Sequence, residues 1–128
     1  MLHLDVRPAN IKVSLPGHAK LLDTGLSGWT TSGRAWQTAA SPEVLGVEDQ
    51  ADRYQSPEQR RGDPPDHRSD LFSLGVILFE ILTDRVPFDG ASPGRAGLTL
   101  ASALNNAVPA EFDAIVARAT AERCVARG

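Results

Sequence analysis

Residues 69 to 85 read SDLFSLGVILFEILTDR, and few folds accommodate such a stretch. Leu71, Leu74, Gly75, Leu78 and Leu82 recur at helical spacing and fall on one face. Phe72, Val76 and Phe79 fill most of the remaining circumference. A helix that is apolar nearly all round must be buried on most sides. The run from Leu71 to Leu82 is interrupted by Glu80 and is too short to span a bilayer. Its surroundings must therefore be protein. Ser69 is the expected N-cap, and Asp70 would sit in the first turn, where the helix dipole favours a negative charge. With 128 residues, the chain has room for one domain with a moderate core, or for part of a larger one.

The flanking segments add smaller elements. NIKVSLPGHAKLLD, residues 10 to 23, carries two short alternating runs around Pro16-Gly17 and predicts a β-hairpin. From Gly25 to Tyr54 the chain is rich in small and polar residues without a stable period, which predicts a long loop, either functional or disordered. SPEQRRGDPPDHRSD, residues 56 to 70, allows a short helical turn from Ser56 or Pro57, ended by Pro64-Pro65. PAEFDAIVARATAER, residues 109 to 123, predicts a second amphipathic helix with Phe112, Ile115, Val116 and Ala119 on its apolar side. The expected fold class is α+β and predominantly α-helical, with a small β-hairpin near the N-terminus. A net charge of -3 gives no electrostatic reason to expect nucleic acid or an anionic membrane as partner. Cys124 is the single cysteine, which excludes an internal disulfide or a cysteine-based zinc site. MLHLDVRPAN lacks the pattern of a signal peptide, so a cytoplasmic setting without a membrane segment is expected.

LLDTGLS, residues 21 to 27, admits two chemistries. Asp23-Thr24-Gly25 after apolar residues resembles the catalytic turn of retroviral-type aspartic proteases, where two carboxylates share a proton. That fold is nearly all β, and the helix around Val76 argues against it. The same aspartate resembles the metal-binding turn of protein kinases, and four further segments agree in order and spacing. HLDVRPAN, residues 3 to 10, resembles the kinase catalytic loop, with Asn10 five positions after Asp5. Asp23 follows Asp5 by eighteen positions, across the predicted hairpin. YQSPEQ at 54 to 59 resembles the element closing the activation segment. DHRSDLFSLGVILFEILTDRVPF at 66 to 88 resembles the central helix of the C-terminal lobe, and ERCVAR at 122 to 127 the segment with a late arginine.

Together these segments resemble the bacterial eukaryotic-like Ser/Thr protein kinases over residues 2 to 127. The resemblance implies a partial kinase domain: catalytic loop 3–10, metal-binding turn and activation segment 23–58, central helix about 69–83 and late helices about 95–123. It implies ATP-dependent phosphoryl transfer to protein Ser/Thr in the intact family. Asp5 would orient the substrate hydroxyl, and Arg7, standing where lysine is usual, would neutralise γ-phosphate charge. Asn10 and Asp23 would hold Mg2+ beside ATP through oxygen ligands. His3 would pack beneath the metal-binding turn, Asp70 would hold the catalytic-loop backbone, and Glu58 would pair with Arg127.

The departures from the family pattern bear on function. Leu4 replaces the arginine that reads an activation-loop phosphate, Thr24 replaces the inter-lobe Phe, and Gln50-Ala51 replace a Gly-Thr pair. No glycine-rich loop or strand lysine precedes Asp5 in these residues. The chain alone is therefore expected to be inactive, with a protein substrate or a complementing N-terminal lobe as partner. The central helix would then leave a broad apolar face uncovered. The competing reading is a non-catalytic pseudokinase-like interaction module or a truncated gene remnant.

Overall fold

The computed structural model describes residues 2–22, 52–88 and 99–121. It contains four α-helices and one two-stranded antiparallel sheet among those residues. A 3-10 turn at Pro8–Asn10 leads into β1 (Ile11–Val13), which pairs with β2 (Ala19–Leu21). The register is Ile11↔Leu21, Lys12↔Lys20 and Val13↔Ala19. The turn closes through Gly17, whose φ of 87° suits a residue without Cβ, and its N–H donates to the Ser14 carbonyl at 2.8 Å. Leu22 N–H donates to the Asn10 carbonyl at 2.7 Å, so the hairpin returns the chain beside the end of the loop that precedes it.

Helix α1 (Pro57–Arg61) begins with proline at N1 and a capping box between Ser56 and Gln59. It stops at Gly62, in the left-handed conformation with φ 83°, earlier than the expected stop at Pro64-Pro65. Helix α2 (His67–Thr83) is the long apolar one. Its N-cap is Asp66, whose carboxylate accepts from Arg68 N–H at 2.7 Å. This corrects the expectation for Ser69, which lies inside the helix and is fully buried. The apolar pattern begins only at Leu71, so it concealed a polar first turn.

Helices α3 (Ala101–Leu104) and α4 (Glu111–Ala119) pack against α2. The Asp113 carboxylate accepts from the backbone N–H and the hydroxyl of Ser102, tying the two together. Two apolar clusters form around α2. Phe79, Ala101, Val108 and Val116 make one, with Leu78, Leu82 and Phe112 against them. Phe72, Val76 and Phe88 make the other, with Tyr54 and Val86, and the Phe72 and Phe88 rings stack at 6.1 Å. The helix is thus buried on its Phe72, Val76 and Phe79 side, while Leu71, Leu74 and Ile81 are exposed. Of the leucine face read from the periodicity, Leu71 and Leu74 are open, while Gly75, Leu78 and Leu82 lie against the α4 side. Ile115, expected on the apolar side of α4, is also exposed, whereas Val116 is buried.

Gly75 marks the crossing of α2 and α4. A Cβ placed there would lie 2.6 Å from Ala119 Cβ, an atom with no rotamer by which to retreat. Alanine gains about 1 kcal/mol of intrinsic helix propensity over glycine. The overpacking costs about 1–3 kcal/mol and wins, since the helices must separate. Gly75→Ala is therefore expected to lower the melting temperature. An unchanged or higher value would show that α4 does not sit this close.

Candidate active site

The loop from Leu2 to Asn10 has no regular structure before its 3-10 turn and is held from outside. The Asp70 carboxylate, at the start of α2, accepts from two successive backbone donors: His3 N–H at 2.8 Å and Leu4 N–H at 2.7 Å. Leu4 has φ 60°, a left-handed conformation that costs a non-glycine residue about 1–2 kcal/mol. Its carbonyl accepts from the Gln59 side-chain amide at 3.1 Å. Both peptide groups of this strained residue are therefore pinned, one from α2 and one from α1.

Asp5 follows directly. Its Oδ2 accepts from Asn10 Nδ2 at 2.8 Å, and the same Nδ2 donates to the Asp5 carbonyl at 2.8 Å. Its Oδ1 lies 3.2 Å from Arg7 Nε. These side chains are 35% and 32% exposed, so water screens the pair and leaves the carboxylate accessible. Asn10 is buried, as is Val6. His3 completes the cluster. Its Nδ1 accepts from Asp5 N–H at 3.3 Å, so Nε2 carries the proton it directs at the Leu22 carbonyl, 2.8 Å away. One imidazole thus links the Asp5 turn to the chain leaving β2.

Five of the eight residues singled out from the sequence, His3, Asp5, Arg7, Asn10 and Asp70, converge here. Glu58 sits apart in α1, buried, with Oε1 accepting from Ser69 Oγ at 2.7 Å. Asp23 and Arg127 lie outside the described residues, as do Thr24, Gln50 and Ala51. Magnesium favours oxygen ligands. The Asn10 amide turns its nitrogen to Asp5, and its Oδ1 accepts no hydrogen bond among the described residues. That donor fits a hard cation.

Sequence reasoning missed three supports. Gln59 was legible as half of a capping box in S-P-E-Q, but its bond to Leu4 was not. Ser69 reads as a cap in the sequence, yet its hydroxyl donates to Glu58 instead. Tyr54 donates its hydroxyl to Glu80 at 2.6 Å, and its carbonyl accepts from Ser73 Oγ at 2.6 Å. Burial, reinforced by the Glu80 carboxylate, raises that phenol above its ordinary range.

An aspartate and asparagine joined on a loop that a buried helix supports, with a hairpin following, are the parts of a protein kinase C-terminal lobe. A family model described as protein kinase domain matches residues 1–114, and the chain belongs to that family. Its fold is a partial kinase-like one. The chain is 40% identical over 131 residues to the serine/threonine-protein kinase PknB of Mycobacterium tuberculosis (strain ATCC 25618 / H37Rv), covering 95% of this chain and 20% of the relative. It is 46% identical over 94 residues to PknB of Mycobacterium leprae (strain TN), covering 73% of this chain and 14% of the relative. Against the serine/threonine-protein kinase PknL of Mycobacterium tuberculosis (strain CDC 1551 / Oshkosh) it is 41% identical over 128 residues, covering 94% and 30%. The chain thus spans about a fifth of the length of the Mycobacterium tuberculosis PknB it matches. Among the described residues no helix is long and apolar enough to cross a membrane.

Proposed function

We propose that this chain supplies the catalytic loop of a Ser/Thr protein kinase and transfers phosphate only when a nucleotide-covering lobe completes it. The observation that carries the reading is the Asp5–Asn10 bond on a loop fastened to Asp70. Asp5 would orient and deprotonate the hydroxyl of a protein Ser or Thr, and Arg7 beside it would face the γ-phosphate. Asn10 and Asp23 would hold the magnesium of bound ATP, which supplies charge neutralisation at the transferring group. His3 would keep the two halves of the site in register through Leu22. The residues that clamp the α- and β-phosphates are not among these 128, so a lobe carrying a glycine-rich loop and a strand lysine is the implied partner. A reducing, cytoplasmic setting belongs to the same reading.

The test joins the chain to the N-terminal lobe of a PknB-type kinase and follows magnesium-dependent phosphorylation of a basic model protein. Transfer is expected, and Asp5→Asn should reduce it by about 10²-fold or more, as loss of a positioned base does. The chain by itself should show no magnesium-dependent thermal shift with ATP; a shift abolished by Asp23→Ala would overturn the requirement for a second lobe. A folded but inactive fusion would instead support a non-catalytic interaction module, which Gln50-Ala51 in place of the Gly-Thr pair favours.

A further inference from the structure

We infer that Gln59 is a positioning residue for Asp5, locking the one peptide plane that aims its side chain. The inference rests on the proposed catalytic role of Asp5. The Leu4 carbonyl and the Asp5 N–H belong to the same rigid peptide unit. That unit is gripped at both ends: Gln59 Nε2 donates to the Leu4 carbonyl at 3.1 Å, and Asp5 N–H donates to His3 Nδ1 at 3.3 Å. With Leu4 at φ 60°, relaxation toward an ordinary conformation would swing this plane and displace Asp5.

The direction of the Gln59 amide is fixed by its other end. Its Oε1 accepts from Ser56 N–H at 3.0 Å and from Ser56 Oγ at 3.1 Å. A flipped amide would set its NH2 against the Ser56 N–H, donor against donor, and would turn an oxygen toward the Leu4 carbonyl. The only arrangement satisfying both sides presents Nε2 to Leu4. One side chain thus joins the N-terminal cap of α1 to the strained turn before Asp5, so a correctly formed α1 start is transmitted to the aspartate.

Glutamate separates the two roles. Gln59→Glu keeps the Oε1 acceptor, and glutamate is as good as glutamine in a capping box. It loses the donor and sets oxygen against oxygen at Leu4. In the full chain, hydrogen exchange at the Asp5 amide is expected to rise about tenfold, with the Leu4 amide, held by Asp70, the α1 amides and the melting temperature unchanged. In the chain completed by the PknB-type lobe, kcat should fall about tenfold with KM within about twofold, as small misplacements of a catalytic group do. If the glutamate variant fails to fold, Gln59→Met, which loses the Leu4 donor and the cap acceptor together, is read against Ser56→Ala, which weakens the α1 cap alone; exchange at Asp5 should rise in the first and not in the second. Parent-like exchange at Asp5 in the folded Gln59 variants would overturn the inference. So would a kcat loss matched by equal destabilisation of α1. If the completed parent enzyme is inactive, the catalytic reading fails, and the exchange measurement still decides whether Gln59 holds the turn.

Discussion

Asp70→Ala is expected to release the turn that carries Asp5 and to lower the stability of the chain by about 3 kcal/mol. The carboxylate holds two backbone donors, His3 and Leu4, at 2.8 and 2.7 Å. Hydrogen bonds to a charged group contribute about 1.5–3 kcal/mol each, toward the low end here because Asp70 is only partly buried. The variant also gives up a favourable first-turn charge in α2, about 0.3–1 kcal/mol. In return Leu4 is freed to leave its left-handed conformation, which recovers about 1 kcal/mol of strain. The balance remains a large fraction of the 5–15 kcal/mol typical of a domain. Urea unfolding checks the magnitude, and Asp70→Asn, which keeps one acceptor oxygen, should fall between the parent and alanine. A loss below about 0.5 kcal/mol for alanine, the range of an ordinary surface substitution, would mean the loop is not anchored there.

The second large effect concerns which side of α2 is the core. Phe72→Ala is expected to cost about 3–5 kcal/mol, since large buried aromatic residues leave cavities that close only partly. Phe72 is fully buried, stacks on Phe88 and shares a cluster with Val76 and Tyr54. Leu74→Ala, two residues along on the opposite side, should cost less than about 1 kcal/mol because half of that side chain is already in water. The pair of measurements discriminates sharply. Equal losses would show α2 enclosed on both sides in solution, as association through the Leu71, Leu74 and Ile81 face would produce. That outcome would also make the melting temperature depend on protein concentration.

Why the sequence showed one part of this arrangement and hid another is visible in α2 itself. Its existence is legible from periodicity, because Leu71, Leu74, Gly75, Leu78 and Leu82 recur at helical spacing. Its exposed side is not, because leucines at 71 and 74 carry the same apolar signal as those that pack; exposure depends on which neighbours are present. The cap was misplaced for a related reason: Asp66 and Ser69 are both good caps, and only the backbone geometry after Pro64-Pro65 chooses between them. In the site, Asp5 and Asn10 were found through their spacing, and their contact at 2.8 Å follows from one short turn. Gln59 was beyond reach, since it meets Leu4 across 55 positions and no local pattern encodes that meeting.

Tyr54 is riveted to α2 at both of its ends, hydroxyl on Glu80 and carbonyl on Ser73. With side chain and backbone both tied to the long helix, Tyr54 sets the point from which the chain runs on to Ser56 and α1.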